Sequence, residues 1–387
     1  MTQRRTRKNT EAQKHLKKNT GRRKRKSAPR RASRNRSGKN HTLRKWQIAI
    51  LIIGIILLIG IVALHIYSHP KRISTGKYQH AARFENHLVI DGIDVSYAQG
   101  DASKHNWNAV KRSGVDFVFV RAGYRDSDKG KIHKDDQFEK NIQGASKAGL
   151  MVGAYFYSQA TSTKEATEEA DALLKYTAGH QIDLPLVMDY EIYPGGRLEK
   201  YMAKKKYTTA KGTAITKAFC QQIQKAGYEP SLYSNYSLLM HQVQPAQISR
   251  FAHVWMANYN ASTDYPHEYT FWQASFEENV NGISGTVDRN FWYFDPSGIN
   301  TYGKRNANAK SIEDCTIQLE KHSFYYLGRP VEPKVIVKDG SKTLQEGKDY
   351  QVGYVQNTAS GTGYAIVTGL GSYKNMASTS FRIKTVL

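Results

Sequence analysis

Between Leu88 and Pro296 the chain repeats one arrangement of apolar and polar positions four times. A stretch with apolar residues at helical spacing ends at a glycine, and a strongly apolar run follows at once. The glycines and runs are Gly114 before Asp116–Val120, Gly149 before Met151–Tyr157, Gly179 before Leu184–Met188, and Gly227 before Pro230–Tyr233. Ala166, Ala170, Leu173 and Leu174 mark one helix face, and Ile215, Phe219 and Ile223 another. Glycine just past a helix supplies the positive φ of the terminating turn. Helices alternating with fully apolar strands predict a parallel sheet with helices packed outside it. Adding Leu88–Ser96 before these runs, and His253–Tyr259, Tyr269–Phe276 and Gly285–Tyr293 after them, gives eight strands in about 210 residues. Eight strands suit a closed barrel. Late connections such as Asn260–His267 are too short for full helices, so the helical ring should be incomplete.

Two other regions follow different patterns. From about residue 309 the period falls to two: Val335, Val337, Tyr350, Val352 and Tyr354 alternate with polar residues, and turn pairs such as Asp339-Gly340 break the runs. A small all-β domain is expected over 309–387, after a linker at 298–308. Near the other end, Ile48–Leu64 is an unbroken run of 17 uncharged, mostly Ile and Leu residues flanked by Trp46 and Tyr67. As a helix it spans about 26 Å, close to the roughly 30 Å hydrocarbon core of a bilayer. A transmembrane helix is therefore expected over 46–67, with contact to membrane lipid, followed by a polar linker at 68–87.

Charge changes this picture in one respect. The 387 residues carry a net +24, which by itself suggests nucleic acid, but residues 1–45 hold 19 Lys and Arg against one acid, Glu11. That places +18 in the first 45 residues and leaves +6 for the other 342. The folded part is not basic enough to read as a nucleic-acid binder. A tail this poor in apolar residues should be disordered. Its run Arg22-Arg23-Lys24-Arg25-Lys26 suits anionic lipid or nucleic acid, but a positive-inside topology signal accounts for it. The tail then stays cytoplasmic and everything after His65 lies outside the cell, in a single-pass plasma-membrane protein. An n-region of 45 residues is long for a cleaved signal peptide, which favours an uncleaved anchor. Two cysteines, Cys220 and Cys315, exclude a disulfide framework and leave room for one inter-domain bridge at most.

In a parallel barrel the C-terminal ends of the strands share one mouth, so acids at those ends are the candidates for chemistry. The first strand ends in Gly92-Ile93-Asp94-Val95-Ser96 and the fourth in Met188-Asp189-Tyr190-Glu191; the eighth contains Val287-Asp288-Arg289-Asn290. Strand period two puts Asp189 and Glu191 on one face. Four carboxylates from three strands would meet in one cleft, with no Lys-rich segment nearby to neutralise them all. Crowded like charges raise the pKa of at least one, the condition for a carboxyl to donate a proton near neutral pH. Paired carboxylates of differing pKa are the equipment for cleaving a glycosidic bond. Tyr155, Tyr157, Tyr233, Trp255, Tyr259 and Trp272 fall in strand-like runs of the same region and offer flat faces for pyranose rings. There is no His-Glu-x-x-His, Cys-x-x-Cys, Gly-x-Ser-x-Gly or phosphate loop, so neither metal nor cofactor is expected. His253 and His267 read as surface or strand-edge residues.

These residues carry a specific resemblance. Asp94-Val95-Ser96 with Gln99-Gly100 and Trp107, Phe117-Val118-Phe119-Val120-Arg121-Ala122-Gly123, Gly153-Ala154-Tyr155, Met188-Asp189-Tyr190-Glu191, Trp272-Gln273 and Val287-Asp288-Arg289-Asn290 occur in order. Together they resemble the lysozymes (muramidases) of glycoside hydrolase family 25 over 88–297. The resemblance implies an α/β fold, a flattened TIM-like barrel of eight strands, and cleavage of the β-1,4 bond between N-acetylmuramic acid and N-acetylglucosamine in peptidoglycan. It implies Glu191 as proton donor, Asp94, Asp189 and Asp288 as the other acids, and Tyr155 and Tyr157 as candidates for substrate contact, with Tyr155 the better motif match. Gln273, from the Trp272-Gln273 motif, is a further substrate-binding candidate. One departure is the long basic stretch Pro194–Lys206 after the catalytic strand, which reads as a solvated loop or a charged cleft rim. Residues 309–387 resemble the short immunoglobulin-like β modules of Gram-positive surface proteins, through Gly328–Val335, Gly347-Lys348-Asp349-Tyr350, Tyr354 with Asn357, and Gly371-Ser372-Tyr373. The reading is a monomeric, anchored cell-wall hydrolase. A non-catalytic wall-glycan-binding protein is the alternative.

Overall fold

The structure, a computed structural model, describes residues 50–58, 73–296 and 308–385. The chain divides into two compact units, Met1–His69 and Pro70–Leu387. In the first, residues 50–58 are helical and their Ile and Leu side chains are exposed. The tail 1–45 and most of the span expected at 46–67 lie outside the described residues. Among the described residues no helix is long and apolar enough to cross a membrane.

The second unit opens with a hairpin, β1 (Ile73–Thr75) and β2 (Tyr78–His80), and a 3-10 turn at Ala82–Phe84. This corrects the polar linker expected at 68–87. From residue 73 the segment is a strap on the barrel flank, because Tyr78, His80 and Phe84 give it enough buried surface to dock. The Tyr78 ring meets Trp272 at 5.9 Å and Phe291 at 5.0 Å, and the Gln79 amide donates to the Ala261 carbonyl at 2.7 Å.

The barrel strands are β3 (Leu88–Val95), β4 (Phe117–Arg125), β6 (Met151–Ser158), β7 (Leu186–Tyr190), β8 (Pro230–Asn235), β9 (His253–Ala257), β10 (Phe271–Glu278) and β11 (Val287–Phe294); β5 (Ile132–Lys134) is a short hairpin partner of β4. They pair in chain order, and β3 pairs with both β4 and β11, which closes the ring. The four glycines that end the helical stretches all have positive φ, between 79° and 94°. As expected, the helical ring is incomplete. Full helices such as Thr163–Thr177 and Thr209–Lys225 precede β7 and β8, and no helix joins β9 to β10 or β10 to β11.

One expectation is corrected. β11 runs antiparallel to both β10 and β3, so the sheet is mixed rather than parallel. Residues 279–286 are too few for a helical crossover, and a short return reverses the strand.

Strand alternation divides the side chains cleanly. Val118, Val120, Val152, Phe156, Met188 and Leu232 face the helices, whereas Ile90, Phe117, Phe119, Trp255, Phe271 and Trp292 fill the interior. Glycines on inward positions make room for those rings. A Cβ on Gly92 would lie 2.3 Å from the Phe117 ring, and one on Gly153 2.4 Å from the Phe119 ring. His253 corrects another expectation. As the first residue of β9 it shares the inward face of Trp255, so it is buried rather than at the surface, 3.0 Å from Thr270 Oγ1, and burial pushes its pKa down to about 3.

Residues 310–384 form a three-stranded and a four-stranded sheet around their own core, which includes Val337, Ala365, Val367 and Phe381. The module closes the barrel floor: Val355, Ile366 and Met376 belong to the same apolar cluster as Ile90, Phe117 and Trp292. Polar contacts fix the seam. The fully buried Lys111 ammonium donates to Asp116 Oδ1 and to the Tyr354 carbonyl, both at 2.8 Å, and the Gln356 amide donates to Asp116 Oδ2 at 2.8 Å. The Gln351 side chain donates to Asp183 Oδ1 at 2.8 Å. Cys220 and Cys315 are free thiols.

Candidate active site

The opposite end of the barrel is open. A cleft of about 230 Å³ is lined by Asp94, Arg121, Tyr155, Tyr157, Asp189, Glu191, Tyr233, Trp255, Tyr259, Gln273 and Asp288. Ten of the eleven residues singled out in the sequence thus meet in one place. Asp288 comes to the mouth for a reason the parallel reading lacked. It lies at the beginning of its strand, and because β11 is reversed that beginning sits at the mouth, with Asp288 paired in register with Asp94.

The exception is Trp272. It is buried and faces the helices with Ala274, while its neighbour Gln273 faces inward, since alternate strand residues cannot share a face. Its indole N–H donates to the Asn258 carbonyl at 2.9 Å, so Trp272 braces the loop that carries Tyr259.

The carboxyl environments differ. Asp94 is buried, and its Oδ2 accepts from Gln273 Nε2 and Asn290 Nδ2, both at 2.8 Å. Burial pushes its pKa up to about 6, with bonds from Asn290, Gln273 and Asp288 pulling the other way. Asp288 is pushed up to about 9 by burial and by the Asp94 charge. The two behave as one unit: Asp288 keeps the proton and donates it toward an ionised Asp94. Asp189 is held well above the carboxylate range, first by burial and then by the charges of Glu191 and Asp94, and Arg121 acts against them. Its Oδ1 is buried with no hydrogen-bond partner. Glu191 is pushed up to about 7 by burial and the Asp94 charge, opposed by a hydrogen bond with Tyr233. A carboxyl protonated up to near neutrality can act as a general acid.

Two members of the site went unassigned in the sequence. Asn290 donates to Asp94 and accepts from the Trp255 indole at 2.8 Å, tying an acid to an aromatic wall. Arg121, at the mouth end of β4, donates through Nε to Asp135 at 2.8 Å and lies 4.5 Å from the centre of the Tyr97 ring. The signal for Arg121 was its position, a charged residue on an inward strand face near the mouth, the same criterion that selected the acids. Tyr97 is placed by a capping box, in which Ser96 Oγ accepts from the Ala98 amide and Gln99 Oε1 accepts from the Ser96 amide. The Gln99-Gly100 motif is thus a structural turn beside the site. The basic stretch Pro194–Lys206 carries a helix at Arg197–Met202; Arg197 is paired to Glu165, while Lys200, Lys204, Lys205 and Lys206 are exposed.

Comparison with known proteins finds relatives for the barrel region. The description "Glycosyl hydrolases family 25" matches residues 93–283. Lysozyme M1 of Streptomyces globisporus is 30% identical over 210 residues, 52% of this chain and 67% of that protein. The autolytic lysozyme of Clostridium acetobutylicum is 25% identical over 200 residues, 51% of this chain and 54% of that protein. Among solved structures, the bacterial lysozyme from Streptomyces coelicolor is 27% identical with a TM-score of 0.43, covering 52% of this chain and 91% of that one. The chain belongs to glycosyl hydrolase family 25. It spans two thirds of the first curated relative and about half of the second.

Proposed function

We propose that this protein is a muramidase that cleaves the β-1,4 bond between N-acetylmuramic acid and N-acetylglucosamine in peptidoglycan, with Glu191 as the proton donor. The observation that carries this reading is the set of carboxyls with staggered protonation in one cleft walled by aromatic rings. Near neutral pH Glu191 holds a proton for the departing glycosidic oxygen, while the Asp94–Asp288 pair keeps one negative charge close to the developing positive charge of the sugar ring. Burial and the neighbouring charges hold Asp189 toward its neutral form, and its unpartnered Oδ1 is left for a substrate group such as the acetamido N–H. Tyr155, Tyr157, Tyr233, Trp255 and Tyr259 supply the walls, and Gln273 orients Asp94 and accepts from the Tyr233 hydroxyl at 2.7 Å.

The same reading anchors the enzyme in the plasma membrane through residues 46–67, with the basic tail in the cytoplasm and the barrel outside. The apolar run at Ile48–Leu64 and the asymmetry of charge around it support this. Residues 309–387 act as an immunoglobulin-like module that serves as the barrel floor.

The test is mass spectrometry of fragments released from purified peptidoglycan. Muropeptides with reducing-end N-acetylmuramic acid are expected from the native protein. The Glu191→Gln variant should fold normally and release them about 1,000-fold more slowly, within the range for loss of a general acid. Undiminished release by that variant overturns the assignment of Glu191, and wall binding without release favours the non-catalytic alternative.

A further inference from the structure

Glu191 lies one residue past the end of β7, where the sheet ladder no longer fixes the main chain. What fixes it instead is a buried glutamine. Gln159 follows β6 directly and has no solvent exposure, and its Nε2 donates to the Glu191 carbonyl at 2.7 Å and to the Ser158 carbonyl at 3.1 Å. Its Oε1 is buried with no partner. Burying half an amide unsatisfied is costly, so the side chain is explained by its donor end, and that end grips Glu191.

Gln159 is itself held. Its carbonyl accepts from Arg197 Nη1 at 2.8 Å, and the guanidinium forms a two-pronged pair with Glu165, Nη2 to Oε1 at 2.5 Å and Nη1 to Oε2 at 3.1 Å. Glu165 also accepts from the Thr161 amide at 2.7 Å. The Arg197 amide donates to the Ser127 carbonyl at 2.9 Å. A Cβ on Gly130 would lie 2.9 Å from Arg197 Cζ, so the loop after β4 closes over the guanidinium. Loops from the mouth ends of β4, β6 and β7 therefore meet at one arginine, drawn from the basic stretch that departs from the family pattern.

We propose that Gln159 and Arg197 form a positioning clamp that fixes the main chain of Glu191 and aims its carboxyl into the cleft. The proposal rests on Glu191 being the proton donor. Neither residue touches the substrate; both act through Glu191. A planar fork is needed at residue 197, because it must serve one carbonyl and two carboxylate oxygens at once.

The test uses the full chain and soluble, defined peptidoglycan fragments. Gln159→Met keeps the volume and removes the N–H donor. It should lower kcat about 10- to 100-fold, the scale of a misplacement of roughly 1 Å, and leave KM within about twofold. It should also move the alkaline limb of the pH profile to lower pH, since a loosened Glu191 meets more water. Arg197→Gln should act in the same direction, and Arg197→Lys should recover part of kcat by restoring one donor to the Gln159 carbonyl. If Gln159→Met does not fold, the Arg197 variants carry the same readouts from a more exposed position. A lower melting temperature with kcat and pH profile unchanged makes the residues structural only and overturns the clamp. Glu191→Gln run in parallel separates the two claims. If it keeps activity, the donor assignment fails; if it is inactive while Gln159→Met matches the native protein, the clamp alone fails.

Discussion

The mouth and the floor of this barrel are built from the same strands with the same alternation, and they have opposite characters. At the floor the inward positions are Ile90, Phe117, Phe271, Trp292 and Phe294, and a second β module adds Val355, Ile366 and Met376 to seal them. A few residues nearer the mouth on β3, β7 and β11 the inward positions are Asp94, Asp189 and Asp288, in a cleft that is open among the described residues. Polar groups at the floor seam are matched, as in the Lys111–Asp116 pair with its contacts to Tyr354 and Gln356. At the mouth, carboxyls sit above their ordinary pKa and Asp189 Oδ1 is unpartnered. The floor is where stability is concentrated, and the mouth is where some stability is given up for chemistry.

The largest effect that could break this comparison is at the floor. Phe117→Ala removes a fully buried ring against which Phe119, Phe271 and Trp292 pack, and should cost about 3–5 kcal/mol in denaturant unfolding. Specific activity of the remaining folded protein at low temperature should be nearly unchanged. A stability loss below about 1 kcal/mol would mean the floor is not the stabilising end.

The next effect is at the mouth. Glu191, pushed up to about 7, is protonated below that pH, and Asp94, pushed up to about 6, is ionised above that one, so kcat/KM should peak between about pH 6 and 7 and fall tenfold per unit above it. A limb near the ordinary glutamate value, in a profile of kcat/KM against pH, removes Glu191 from the donor role.

The smallest effect sharpens the contrast. Asp288 has a folded pKa of about 9, above that of an unfolded aspartate, so the folded state binds the extra proton and stability declines as pH rises between the two values. Asp288→Asn removes that penalty. It should raise the melting temperature by about 2–4 °C at pH 7, and the gain should shrink toward pH 4. A lowered melting temperature at pH 7 would make Asp288 a structural residue like those of the floor.

Much of this was legible in the linear order of residues. The strand count follows from apolar runs bounded by helix-ending glycines, and the short late connections foretell the gaps in the helical ring. Asp94, Asp189 and Glu191 were identifiable because strand ends are readable as the places where apolar runs stop. Trp272 was misplaced because an apolar run buried on both faces hides which alternate positions point inward. His253 was misread for the same reason: a polar residue opening a strand looks like an edge until the register places it inside. The linker reading failed for residues 73–87 because three separated aromatic and imidazole side chains make no pattern until a flank exists for them to cover.

The amino-acid order alone determined the number of strands, the set of acids and the separation of a basic tail from a nearly neutral folded part. Local physics suffices for these, because backbone sterics, side-chain period and charge density act over a few residues. Only the tertiary structure decided that β11 reverses and carries Asp288 to the mouth, that the C-terminal module shares the barrel core, and that Gln159 and Arg197 grip the main chain of Glu191. Those outcomes depend on contacts between residues up to about 250 positions apart, such as Lys111 with Tyr354, and such contacts exist only once the chain has closed on itself.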